Sequence, residues 1–478
     1  MLTLRNITVW DTGETIDLVI PNTDEDRLFT ESGAVTDGEF DATGLTVAPG
    51  FADPHVHFRD PGQTYKESMI SGCRASASGG YTNVLIMPNT LPAMDGEPVV
   101  AGEAGATEVL DAGYDTVIDY LQHYEAVHNV SLPVQYDLCV CASKGRAGGE
   151  ASDPNRWRDF LPDSDTVRGV AKDAYQLAHP VTAVSDDGAA VTPGILDQVL
   201  RNVQETGLYL IEHCEHHDTG AVNDGPVARE LGVPGIPEDT ELKIVARDIA
   251  QARETGVHVH FQHVSTAISF DAIRAAKAEG LPVTCETAPH YIALCDEDLL
   301  RYGTLAKMNP PLRSAADRQA TIAAIADGTV DMLATDHAPH TLAEKERGFL
   351  DAPNGIIGLE CAYGVAHKVL VDGGYIDDKR LIELMSLAPQ RLMGLAPTDV
   401  AGLLNTSAKC AVKRTLDVSH VEHPENVNLV ILNTTQEWTV DPEAFHSAAR
   451  NTPFGGWQVT GRPLATVIGS RLVFSRIR

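Results

Sequence analysis

Apolar and polar positions alternate at the start of the chain, in Leu2-Thr3-Leu4 and again through Ile16-Asp17-Leu18-Val19-Ile20. This pattern predicts short half-buried strands, broken by a polar turn at residues 22–26. The last fifty residues carry the same texture at 428–432, 465–468 and 472–474. Short isolated sheets are marginally stable, so the two ends are predicted to pair into one small β-sandwich. Between them the pattern changes to nearly continuous apolar runs, near 46–52, 82–88, 134–141, 181–184, 208–212, 257–262, 282–287 and 330–335. Amphipathic stretches separate several of these runs. Ile195, Leu196, Val199, Leu200 and Val203 share one helical face that stops before Gly207, and Pro237-Glu238-Asp239 opens a segment ending at Gly256. A helix is also predicted over 114–127. Eight buried strands alternating with helices predict an α/β protein with a (β/α)8 TIM barrel at residues 51–395, and residues 1–50 and 396–478 supply the two parts of the β-sandwich.

Composition narrows the class. With 478 residues, 43% of them hydrophobic and 22% charged, the chain is globular rather than disordered. Its 36 Lys plus Arg against 67 Asp plus Glu give a formal charge of −31, which disfavours nucleic acid and anionic membranes as partners. The eight cysteines are dispersed and form no CxxC pair, as expected of free thiols. The N-terminus shows no basic region followed by an apolar core, and no apolar run is long enough to span a bilayer, so a cytoplasmic location is expected.

The densest chemistry follows the first barrel run, in Asp53-Pro54-His55-Val56-His57-Phe58-Arg59-Asp60-Pro61-Gly62. On an extended chain His-x-His turns both imidazoles to one side, where they can share a metal; two polar residues on a strand face are the bland alternative. Val257-His258-Val259-His260 repeats the pattern, and His213, His216 and His217 cluster on a loop. Position separates these. His55 and His57 follow run one, Asp186 and Asp187 run four, His213 run five, His263 run six and Asp336 run eight, all at C-terminal strand ends, where barrels build active sites. Four imidazoles with carboxylates suit zinc, or manganese or cobalt in its place, and a shared carboxylate can bridge two ions.

These motifs resemble the amidohydrolase superfamily, and within it the class I dihydroorotases. The resemblance rests on Asp-x-His-x-His, Val-Ser-Asp-Asp-Gly, Glu-His-Cys-Glu, Gln-His-Val-Ser-Thr and Ala-Thr-Asp-His-Ala-Pro-His, in that order, and extends to Arg450-Asn451-Thr452-Pro453-Phe454. Phe58-Arg59-Asp60-Pro61-Gly62, Met87-Pro88-Asn89-Thr90 and Asn309-Pro310-Pro311-Leu312-Arg313 favour dihydroorotase over hydantoinase, dihydropyrimidinase and allantoinase. The resemblance implies two Zn2+ per chain, with His55, His57 and Asp336 on one ion and His213 and His263 on the other. It assigns the bridge to Asp187, with Asp186 as the alternative, and selects His263 over His258 and His260. The implied reaction is the reversible cyclisation of N-carbamoyl-L-aspartate to (S)-dihydroorotate in pyrimidine (UMP) synthesis, with Asp336 as the catalytic proton carrier. Arg59, assisted by Asn89 and His340, would hold the substrate carboxylate, unless it pairs with Asp60 or Asp53. Asn309 and the backbone of Asn354-Gly355 would contact the ring amide. Residues 341–353 read either as a lid or as an ordinary surface loop. The chain departs from the family pattern at 102–131, at 153–179, where Lys172 imitates a carboxylated lysine, and at Asn354, which replaces a more usual aromatic residue. A homodimer and an association with aspartate carbamoyltransferase are implied partners. The competing readings are another cyclic amidohydrolase and a non-catalytic scaffold.

Overall fold

The computed structural model describes residues 1–21, 27–170, 179–216, 219–406 and 414–478; the turn expected at 22–26, His217 and Lys172 lie outside these residues. Its centre is a parallel barrel of β1 (Phe51–Val56), β2 (Tyr81–Ile86), β3 (Gln135–Cys141), β4 (Val181–Ser185), β5 (Tyr209–Glu212), β6 (Val259–Phe261), β7 (Val283–Thr287) and β8 (Met332–Leu333), each hydrogen-bonded to the next in chain order. The ring closes beyond β8, where Val56 bridges His337 in parallel and His57 N donates to His337 O at 2.9 Å. Every position of β1 and β2 is buried, as expected of strands covered on both faces. Ala52, Leu85, Cys139, Ala183 and Ile211 form one inner cluster with Met393, while a larger apolar core fills the layer between strands and helices.

Helices form where the 3.6-residue pattern predicts them. Leu196–Thr206 buries Leu196, Val199, Leu200 and Val203, each burial stabilising by roughly 1.5–3 kcal/mol, and it stops at Gly207, whose φ of 71° a side-chain-bearing residue adopts poorly. Asp239–Thr255 runs to Gly256 in the same way. The helix expected over 114–127 is instead two short ones, Val117–Gln122 and Tyr124–His128, divided at His123. The break serves the packing: Tyr120 and Tyr124 both direct their hydroxyls onto buried Asp60, at 3.3 and 2.8 Å.

The run at 46–52 is two strands in two sheets. Thr46–Pro49 pairs with Leu429–Thr439 and Leu2–Val9, and after Gly50 the chain enters the barrel as β1. A Cβ at Gly50 would lie 2.3 Å from Thr82 Cγ2, so the crossing depends on glycine. Both chain ends meet in one nine-stranded sheet with its own core, in which Leu4, Leu18, Val47, Ile431 and Leu472 are buried.

Candidate active site

The six predicted ligands converge at the C-terminal ends of the barrel strands, all of them buried. His57 Nε2 lies 2.9 Å from Asp336 Oδ1, and His55 Nε2 lies 3.4 Å from that oxygen and 3.4 Å from Asp187 Oδ1. Asp187 reaches across the cluster, its Oδ1 3.4 Å from His213 Nδ1 and its Oδ2 3.5 Å from His57 Nε2. His263 Nε2 is 2.9 Å from His213 Nδ1. Among the described residues, two groups of donor atoms are compact enough to hold an ion: His55, His57 and Asp336, and His55, Asp187 and His263. Such a set of imidazole nitrogens and carboxylate oxygens fits a divalent transition metal. Asp186 turns away and accepts from Ser143 N at 2.9 Å. His263 and Asp336 hold left-handed backbones, with φ of 36° and 46°. A conformation costing roughly 1–3 kcal/mol per residue persists where the surroundings dictate it, commonly at functional positions.

Electrostatics follow from the crowding. Burial works to raise the Asp187 carboxyl, but His55 and His57 outweigh it and hold Asp187 well below the usual carboxylate range. Burial works to lower His55, yet Asp336 and Asp187 hold it well above an ordinary imidazole. A second layer fixes ring orientation. His55 Nδ1 faces Glu286 Oε1 at 2.7 Å, and His57 Nδ1 faces Asn89 Oδ1 at 2.9 Å, so each ring turns Nε2 inward. Burial alone would raise Glu286, but hydrogen bonds from His260 and His55 hold it at about 2. The repeat motif is thereby explained: His260 binds Glu286 at 3.0 Å and, like His258, Thr284 Oγ1 at 2.8 Å, and neither is among the metal-type clusters. The sequence reading did not single out Glu286; its signal is an acidic residue inside the apolar run of β7.

A cleft offering about 130 Å³ of room opens over the cluster, lined by Arg59, Asn89, Asn309 and Asn354 besides His57, Asp187 and Asp336. Arg59 pairs with neither Asp60, which takes the two tyrosines, nor Asp53, which accepts from Thr335 Oγ1 at 2.6 Å. Its Nε makes only a long contact, 3.4 Å, to Pro339 O. His340 stands one layer back. Its Nδ1 faces Lys66 Nζ at 3.3 Å, which can only donate, so Nε2 carries the proton and gives it to Asn354 O at 2.9 Å. Burial, Arg59 and Lys66 hold this ring neutral, its pKa lowered to about 2. The Arg59 fork, 3.5 Å from that Nε2, therefore finds no acceptor there. Asn309 Nδ2 donates to Glu215, and Asn89 Nδ2 to Asp187 Oδ2 at 3.2 Å. Gly355 lies behind the wall, where buried Lys345 donates to Lys307 O, Pro353 O and Gly355 O at 3.1, 2.9 and 2.9 Å. Residues 341–353 thus include a short helix, Leu342–Lys345, tied down by its last side chain.

A parallel barrel that gathers four histidines and two aspartates at the ends of its strands defines a metal-dependent hydrolase. Comparison with known proteins agrees. The profile of the amidohydrolase family matches residues 46–400. Dihydroorotase of Citrifermentans bemidjiense is 38% identical over 438 residues, covering 91% of this chain and 89% of that protein, and dihydroorotase of Lactiplantibacillus plantarum is 38% identical over 90% and 87%. The chain belongs to the amidohydrolase family and, within it, groups with the dihydroorotases. In fold it is similar to L-hydantoinase (dihydropyrimidinase) from Arthrobacter aurescens, with a TM-score of 0.70 at 22% identity over 100% of this chain and 96% of that one. No helix among the described residues is long and apolar enough to cross a membrane.

Proposed function

We propose that this chain is a zinc-dependent dihydroorotase that interconverts N-carbamoyl-L-aspartate and (S)-dihydroorotate in de novo pyrimidine synthesis. Similarity to dihydroorotases over about nine-tenths of both chains supports the reading. The observation that carries it is Arg59, a half-buried guanidinium on the cleft wall with no carboxylate partner among the described residues. Dihydroorotate keeps a carboxylate that takes no part in the chemistry, and a planar two-pronged donor is the group suited to hold it. Hydantoins and dihydrouracil lack that carboxylate.

His55, His57 and Asp336 would hold one zinc ion, His213 and His263 a second, with Asp187 shared. When bound, the two ions supply Lewis acidity toward the reacting carbonyl and lower the pKa of the attacking water. In ring opening Asp336 takes the proton of that water and passes it to the departing ring nitrogen. In ring closure it takes the proton of the ureido nitrogen as that nitrogen attacks the side-chain carboxylate, and returns it to the carboxylate oxygen whose bond to carbon breaks and which leaves as hydroxide. Asn89 stands with Arg59 on the cleft wall, His340 holds Asn354 O from one layer back, and Asn309 and the backbone of Asn354 border the ring amide with Gly355 packed behind them. Seven described cysteines, all free and buried, are consistent with a reducing, cytoplasmic setting.

Arg59→Ala tests this reading. Turnover of dihydroorotate is expected to fall at least about 10²-fold in kcat/KM, the scale of removing a charge partner, with bound metal unchanged. Full turnover of dihydroorotate in that variant, or wild-type preference for dihydrouracil, would instead identify another cyclic amidohydrolase.

A further inference from the structure

The sheet built from both chain ends carries an open pocket of about 390 Å³, and none of its wall residues lines the cleft. Arg462, Arg476 and Arg478 all turn toward one carboxylate there: Arg476 Nε lies 3.0 Å, Arg478 Nη2 3.3 Å and Arg462 Nη2 3.5 Å from oxygens of Glu31. Only the Arg478 contact has hydrogen-bond geometry. The Nε atoms of Arg462 and Arg476 are buried without an acceptor among the described residues, although Arg476 is only 7% exposed. Aromatic faces hold both guanidiniums in place, Arg462 at 4.6 Å from the Trp438 ring centre and Arg476 at 4.6 Å from that of Phe474.

Buried guanidinium donors are almost always matched by acceptors, so this cluster is short of negative charge. Asp41, the wall's other carboxylate, is engaged by Asn6 Nδ2 at 2.9 Å and Thr43 Oγ1 at 2.7 Å. Three guanidiniums share Glu31, and Glu360, which also acts on Arg462 and Arg476, spends its oxygens on His446 N, Ser447 N and Ser78 Oγ; such a cationic cluster is conspicuous in a chain of net charge −31. We infer that the pocket binds a small phosphate monoester, its dianionic head on the three guanidiniums and its organic group against Phe40, Leu45 and Leu464. A tetrahedral dianion can accept from several guanidiniums at once, which a single carboxylate does less well. The room exceeds an inorganic phosphate: a water takes about 30 Å³ of liquid volume, so 390 Å³ leaves space for an attached ring.

Calorimetric titration of the full chain with phenyl phosphate, at an ionic strength fixed by sodium chloride, should show one saturable site. Inorganic phosphate should bind about tenfold more weakly, for lack of apolar contact. Arg478→Gln and Arg462→Gln should each weaken phenyl phosphate binding about tenfold or more, while dihydroorotate turnover stays unchanged. Arg478 is exposed, so its variant tests the site even if Arg462→Gln lowers the melting temperature. Absence of saturable heat overturns the inference. So does equal affinity in the Arg478 variant, or displacement of phenyl phosphate by dihydroorotate, which would put binding in the cleft.

Discussion

Glu286 makes no contact with substrate in this account, yet it sets which nitrogen His55 turns to the cluster. Glu286→Gln keeps the size and one acceptor but removes the charge that both His55 and His260 use. Loss of such an outer partner typically costs 10–100-fold in metal affinity, so competition with a chelator should strip the variant at about that much lower chelator concentration. An unchanged chelator curve would reduce Glu286 to packing. Asp137 poses a different question, since neither of its buried oxygens has a hydrogen-bond partner among the described residues. Burial pushes it up to about 8, against about 3.9 in an unfolded chain. Between those values the folded state binds the extra proton, so stability falls as pH rises through that window and is level above it. Asp137→Asn removes the titration, and its melting temperature relative to wild type should climb steadily from pH 5 to pH 8; parallel curves would contradict this. The histidines were legible in the sequence because strand ends are. The duties of Glu286 and Asp137 were not, because a buried charge is defined by partners far along the chain.

Among the elements, the segment from Leu342 to Ile356 shows how local chemistry and tertiary anchoring divide the work. The polar composition of residues 341–353 leaves lid and surface loop equally open, since the sequence cannot reveal that Lys345 points inward to three carbonyls. Gly355 sits at φ 150°, where a Cβ would lie 2.6 Å from Ala338 O and 2.7 Å from His340 Cδ2. Gly355→Ala should therefore destabilise the protein by roughly 1–3 kcal/mol and shift Asn354, raising KM more than it lowers kcat. Steady-state kinetics that match wild type would show that this backbone does not shape the cleft. The run at 46–52 was misread as one strand for a related reason. Periodicity carries no mark at Gly50, where the chain passes from one sheet to the other, because only the close approach of Thr82 makes the glycine necessary.

At the scale of the whole molecule, an anionic substrate must approach a chain of charge −31, so attraction has to come from Arg59 and the ions that the histidine cluster would hold. The architecture also sets a schedule. Val47 pairs with Ile431, so at about 5–20 residues per second a strand made early waits roughly 20–80 s for its neighbour to leave the ribosome. During that time Leu2–Val9 and Thr15–Ile20 can pair, but the edge at Thr46–Pro49 is open. Chains that end before Leu429 should accumulate in the insoluble fraction, whereas in chains that begin after Val9, and so lack the sheet's first strand, Thr46–Pro49 is still covered by Leu429–Thr439; equal soluble yield of the two deletions would contradict this. Synthesis order thus makes the late strands guardians of the early ones, a burden on the nascent chain that the finished sheet no longer displays.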